Sequence, residues 1–204
     1  IAFVDYDGSG TLDTANEPYT FTDADGAFSL SSTKGTQKVV VTTNSATAGN
    51  LAVNAIDGSS GAALSGVTLT GPSGSSVLSP ASTLLEKSDL SEAEVAAALG
   101  LDGISLTEFN PYAAGVDADN ALAFEKVATQ VITTVKAISA AAQGSGAAAE
   151  AASNAAFSSI ISVVATKATA GETLDLSAAA DLTAIQTQAA TDLVAVAGVD
   201  ATAF

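Results

Sequence analysis

A chain of 204 residues is long enough to bury a real core, and its shift from Gly, Ser, Thr and Val to Ala part-way along favours two small domains over one. Its 22 acidic residues against six lysines and no arginine give a net charge of −16, which leaves no basic face for nucleic acid, repels an anionic membrane surface and makes cations the natural partners. With no Cys and no His there is no Ser-His-Asp or Cys-His nucleophile, no imidazole base, no soft-metal site and no disulfide, so the chain reads as non-catalytic.

Residues 1–4 form a short apolar run with strand character. Residues 5–17, Asp-Tyr-Asp-Gly-Ser-Gly-Thr-Leu-Asp-Thr-Ala-Asn-Glu, then read as a calcium loop. Asp5, Asp7 and Ser9 stand at alternate positions and can converge on one hard cation, while Gly8 and Gly10 let the backbone curl around it. Thr11 would add a backbone carbonyl, and Asp13 or Glu17 would close the sphere directly or through water. The flanks read as strands rather than helices, so no helix pair is present to open on binding, which argues against a sensor. The glutamate also falls one place later than in an EF-hand, with Asn16 where the bidentate residue would stand.

Beyond the loop, residues 19–21 and 27–30 carry the alternation of a hairpin about the Asp25-Gly26 turn. Asp23 or Asp25 could reach the same ion, or simply serve the turn. Residues 38–43 read as a β-branched strand, and Ala55-Ile56-Asp57-Gly58 and Gly66-Val67-Thr68-Leu69-Thr70 as further strands and turns. Ser91-Glu92-Ala93-Glu94 is a capping box that opens a short helix ending at Gly100. Three longer helices follow. The first starts near residues 117–120 and carries Val127, Val131, Val135 and Ile138; the second carries Phe157, Ile160, Ile161 and Val164 up to Gly171; the third carries Leu182, Ile185, Ala189, Leu193 and Val196. Their apolar stripes suit an Ala-rich bundle. Asp117 and Asp119 are candidates for a second metal site, although capping and the helix dipole already account for Asp at a helix start.

The segment Phe3-Val4-Asp5-Tyr6-Asp7-Gly8-Ser9-Gly10-Thr11-Leu12-Asp13, with Glu17-Pro18 and Thr22-Asp23-Ala24-Asp25-Gly26-Ala27-Phe28, resembles the calcium-binding B-type repeats of bacterial surface proteins. Gly74-Ser75-Ser76-Val77-Leu78-Ser79-Pro80-Ala81-Ser82-Thr83-Leu84-Leu85, with the capping box and Leu99-Gly100-Leu101, is similar to the helical extension in very large secreted bacterial adhesins. The resemblance implies an α+β chain: a prealbumin-like β-sandwich over 1–78, lacking a strand that the family pattern places before residue 1, then a helical domain over 79–204. It implies Asp5, Asp7, Ser9, Thr11, Asp13 and Glu17 as calcium ligands, an extracellular, cell-surface or matrix location, and a spacing or adhesive role.

The expected function is therefore a calcium-stabilised structural module whose partners are calcium, neighbouring modules or copies of itself. A self-assembling filament is the variant, with residues 199–204 of one copy donating a strand to another. A module binding a sugar or peptide is the other class, and without Trp and with three Tyr it lacks a ready stacking platform. Starting at Ile1, the chain reads as a processed piece of something longer. No stretch is long and apolar enough to span a membrane.

Overall fold

A computed structural model describes residues 1–35, 37–56, 61, 63–64, 66–194 and 196. The expected Asp57-Gly58 turn and the expected donor segment 199–204 fall outside the described residues. The chain is mixed α+β. Its strands are β1 (Ala2–Asp5), β2 (Tyr19–Thr20), β3 (Lys38–Thr42), β4 (Ala55–Ile56), β5 (Ala63–Leu64) and β6 (Thr68–Gly71). Among the described residues five helices follow: α1 (Pro80–Lys87), α2 (Glu92–Ala98), α3 (Ala118–Gly144), α4 (Ala149–Ala170) and α5 (Ala179–Leu193).

The main sheet is antiparallel with strand order β2-β1-β3-β6, and β4 pairs with β5 in a separate two-stranded ladder. β1 is central and all four of its residues are buried, which is why its apolar members Ala2, Phe3 and Val4 follow one another without alternation. Register sets Phe3 opposite Val40, Val4 opposite Val39 and Asp5 opposite Lys38. Ile1, Phe3 and Val40 form a small core with Leu12 and Ala48. The Leu12 amide donates to the Thr47 carbonyl at 2.8 Å, which pins the loop after β1 to the turn after β3.

One expected hairpin arm is absent. Of the expected hairpin only Tyr19 and Thr20 join a ladder, pairing with β1, and residues 27–30 join none. The Asp23 side chain accepts from the Asp25 and Ala27 amides, each at 2.9 Å, and thereby takes a donor that a hairpin would have used. The alternation is matched instead by burial, Phe28 and Leu30 being half-buried and Ala27 and Ser29 exposed where the segment borders a groove with Val39, Val41, Leu78 and Phe124.

The helices begin where local chemistry favours it. Ser79 caps α1 through a reciprocal hydroxyl pair with Ser82, with Pro80 in the first turn, and Ser91 caps α2 with Glu94. Asp117 caps α3 by accepting from the Asn120 amide at 2.9 Å. Gly171 closes α4 in the left-handed conformation, at φ 66°. α4 packs against each of the other four helices. Its Phe157, Ile160 and Val164 meet Val131, Val135 and Ile138 of α3, Ile185 and Ala189 of α5, Val95 of α2 and Leu84 of α1 in one core. Alanine elsewhere permits close approach, each buried methyl adding about 0.8 kcal/mol.

Strand and helix parts are stitched together at β6. The Thr70 amide donates to Thr83 Oγ1 at 2.9 Å, and the Thr70 carbonyl accepts from Ser82 Oγ at 2.8 Å. Helix α1 thus covers the β6 edge with hydroxyls that replace a neighbouring strand. Lys38 of β3 adds an ion pair to Glu86 of α1 at 2.7 Å.

Candidate metal centre

The loop between β1 and β2 is organised by its own carboxylates. Asp5, at the end of β1, accepts from the Gly8 amide through Oδ1 at 2.8 Å and from the Gly10 amide through Oδ2 at 3.0 Å. Both glycines hold positive φ, 76° and 71°, which bends the chain around that side chain. Asp7 accepts from the Ser9 amide at 2.9 Å. Glu17 reaches back across the loop, accepting from the Tyr6 amide at 2.7 Å and the Asp13 amide at 2.9 Å. The Lys34 ammonium lies 4.1 Å from the Tyr6 ring centroid, and the Thr33 amide donates to the Tyr6 hydroxyl at 3.1 Å, so residues 33–34 cover the loop's flank.

These contacts bring one oxygen each from Asp5, Asp7 and Glu17 within 4.8 Å of one another, in the one such acidic cluster among the described residues. Asp5 is 3% exposed and Glu17 6%. No lysine forms an ion pair with either of them among the described residues, since Lys38, opposite Asp5 in the ladder, pairs with Glu86. Buried carboxylates are ordinarily paired with a cation or bound to a metal. The Ser9 amide holds the Asp7 carboxyl below the usual carboxylate range, which favours its charged form. Three converging carboxylates with spare lone pairs form an oxygen-only set that could hold a hard cation.

The other expected ligands are placed differently. Ser9 Oγ donates to the Thr11 carbonyl at 3.0 Å and accepts from the Thr11 amide at 3.2 Å, so those two groups are engaged with each other. Asp13 turns to its own segment, accepting from Asn16 Nδ2 at 2.6 Å and the Ala15 amide at 2.9 Å, and these bonds lower its pKa, Asn16 contributing most. Asp13 therefore shapes the turn that delivers Glu17, whose amide donates to the Asp13 carbonyl at 2.9 Å. Asp23, Asp25, Asp117 and Asp119 lie outside the cluster.

A second feature adjoins this loop and is not signalled by local sequence. A cavity of about 200 Å³ separates Asp5 and Gly8 of the loop from Lys87 of α1 and from Glu150 and Asn154 of α4. Thr47 and Thr70 also line it. These residues come from five separate segments, so no spacing rule could have gathered them.

Comparison with known proteins gives no match: no family model, no curated protein and no solved structure matches the chain.

Proposed function

We propose that this chain is a non-catalytic structural module of a secreted bacterial surface or matrix protein, ordered by calcium at Asp5, Asp7 and Glu17. The observation that carries this reading is the burial of the Asp5 and Glu17 carboxylates beside Asp7 with no lysine paired to them among the described residues. An acidic, oxygen-only set in an irregular loop suits calcium better than magnesium, which demands near-ideal octahedral geometry. Ser9, Thr11 and Asp13 act as second-rank contributors, through water or after small rearrangement of their mutual hydrogen bonds.

The finer architecture belongs to the same reading. The strand part over 1–78 is a prealbumin-like sandwich, and 79–204 is an Ala-rich bundle built around α4. A calcium affinity in the range of extracellular modules, about 10⁻⁴–10⁻³ M, leaves the cluster empty and self-repelling in the cytosol and filled outside the cell. Ordering then follows export, and the ordered surface stacks against neighbouring modules or copies of the chain.

Isothermal titration with calcium tests the proposal. Asp7 is exposed and its carboxylate accepts the Ser9 amide from within the same loop, so Asp7→Ala removes a ligand with little cost to the fold. Calcium should raise the melting temperature of the parent chain, and Asp7→Ala should weaken binding by about tenfold or more, roughly 1.4 kcal/mol. An unchanged titration in that variant would sink the assignment.

A further inference from the structure

We propose that the groove between the sheet and the start of α3 takes an extended peptide of a partner protein, apolar at alternate positions with lysine or arginine at its ends, which adds as a strand along residues 28–32. The groove has a volume of about 720 Å³ and borders the sheet face that carries Val39 and Val41. β3 is paired on both sides, yet these two valines are only half-buried. Their partners on β1, Val4 opposite Val39 and Ala2 opposite Val41, are buried. A water-facing strip of an antiparallel sheet ordinarily carries polar residues, and this one carries valine.

The backbone beside this strip is the second observation. Residues 28–32 belong to no strand or helix, and among the described residues none of their main-chain amides or carbonyls has a hydrogen-bond partner. The segment nevertheless alternates as a strand does, with Phe28 and Leu30 half-buried on the groove and Ser29 and Ser31 exposed. It is a strand-like edge without a neighbour, next to an apolar floor. A peptide laid along it would take up those amides and carbonyls, and every second side chain would fall on the side of Phe28 and Leu30. Leu78 and Phe124 add further apolar surface there.

Charge selects among occupants. The charged residues that line the groove, among those described, are Asp25 and Glu125, and no lysine joins them. A second copy of this chain, at net charge −16, would bring acid against acid, whereas lysine or arginine at a peptide's ends meets both carboxylates. Glu125 accepts from the Tyr112 hydroxyl at 2.7 Å and keeps lone pairs for a second donor. A small apolar molecule would fill the floor but leave the backbone of 28–32 and both acids unused.

The test uses the full chain, isotope-labelled for NMR and with calcium present, against the peptides Lys-Val-Thr-Val-Thr-Val-Lys and Glu-Val-Thr-Val-Thr-Val-Glu. The lysine-ended peptide should bind saturably with a Kd below about 1 mM and slow amide exchange in residues 28–32 by about tenfold. The glutamate-ended peptide should bind at least about tenfold more weakly. Methylating the backbone nitrogens of the valines and threonines in the lysine-ended peptide removes its ladder donors, and should weaken binding about tenfold. Ser29→Pro, at an exposed residue whose amide has no partner among the described residues, should leave the melting temperature nearly unchanged and weaken binding to a similar degree. Glu125→Gln should weaken the lysine-ended peptide alone, by about threefold. No saturable binding, equal binding of the two peptides, indifference to methylation, or binding without slowed exchange in residues 28–32 would each overturn the proposal. So would slowing there that grows with the concentration of the chain alone, since the occupant would then be a second copy. Should Ser29→Pro fail to fold, the methylated peptide still decides, because it acts on the parent chain. The groove includes none of Asp5, Asp7 and Glu17, so failure here and failure of the calcium assignment are separately visible.

Discussion

Thr83 Oγ1 accepts the Thr70 amide at 2.9 Å and lies 3.1 Å from the Thr70 carbonyl oxygen, so one helical side chain meets both polar groups of an edge-strand residue. Both residues are buried. Replacing Thr83 by Val keeps the shape but strands the Thr70 amide away from water, at a cost of about 1–3 kcal/mol. Thr83→Ser should retain most of the stability. Urea unfolding of the two variants checks this, and equal midpoints would show that the hydroxyl contributes nothing.

Gly49 is the second point at which the strand part is vulnerable. It sits at φ 63°, and a Cβ there would lie 2.8 Å from the Leu12 carbonyl oxygen. Backbone cannot swing aside as a side chain can. Gly49→Ala should therefore destabilise by more than the roughly 1–2 kcal/mol of the left-handed conformation alone, with the loop 5–17 loosened as a consequence. Denaturant unfolding measures the first effect and amide exchange at Leu12 the second. A variant as stable as its parent would contradict the close approach.

Acid should weaken the joint between α4 and α5. The Asp175 amide, at 2.8 Å, and then Lys167, at 2.9 Å, hold the Asp181 carboxyl below its ordinary range. A carboxylate with a depressed folded-state pKa adds stability above its unfolded value, about pH 4, and that contribution fades as pH falls through the folded value. Lys167 is shifted the other way, raised by Asp181 and then by Glu172, so its share is present below about pH 10 and is lost only as pH rises through the folded value. Asp181→Asn should lower the melting temperature by about 2–4 °C near pH 7 and by nothing measurable near pH 2. A constant difference across that range would remove the charge from the explanation.

Chelation should act on one part of the chain and spare the other. Without a cation the carboxylates of Asp5, Asp7 and Glu17 repel across the loop that joins β1 to β2. The helix core around α4 shares no residue with that cluster. With a chelator, amide exchange should quicken in residues 5–20 and in β3, any higher-order assembly should soften, and far-UV helicity should stay nearly constant. Uniform protection with and without calcium would leave the loop without the role proposed for it.

Much of this was legible because the relevant signals are local. Ser91 with Glu94, Asp117 before α3 and Gly171 after α4 each act within one turn, and the structure places all three at helix ends. The convergence of Asp5 and Asp7 could likewise be read from alternate spacing and two glycines. Glu17 was harder, because its position depends on the 13–17 turn, whose hydrogen bonds run from Ala15 and Asn16 to Asp13. Residues 27–30 misled for a related reason: alternation records that one face of a segment is covered, not that its backbone is paired. The cavity at Thr47 and Thr70 was beyond reach, being assembled from tertiary contacts alone.

The hydroxyls of α1 also limit how this sheet can grow. A four-stranded sheet has two outer strands, and a chain with both exposed could add copies on either side without end. Here Ser82 and Thr83 already occupy the Thr70 peptide groups of β6, so a strand arriving on that side would first have to displace the hydroxyls of α1. The other outer strand, β2, offers only the two residues Tyr19 and Thr20.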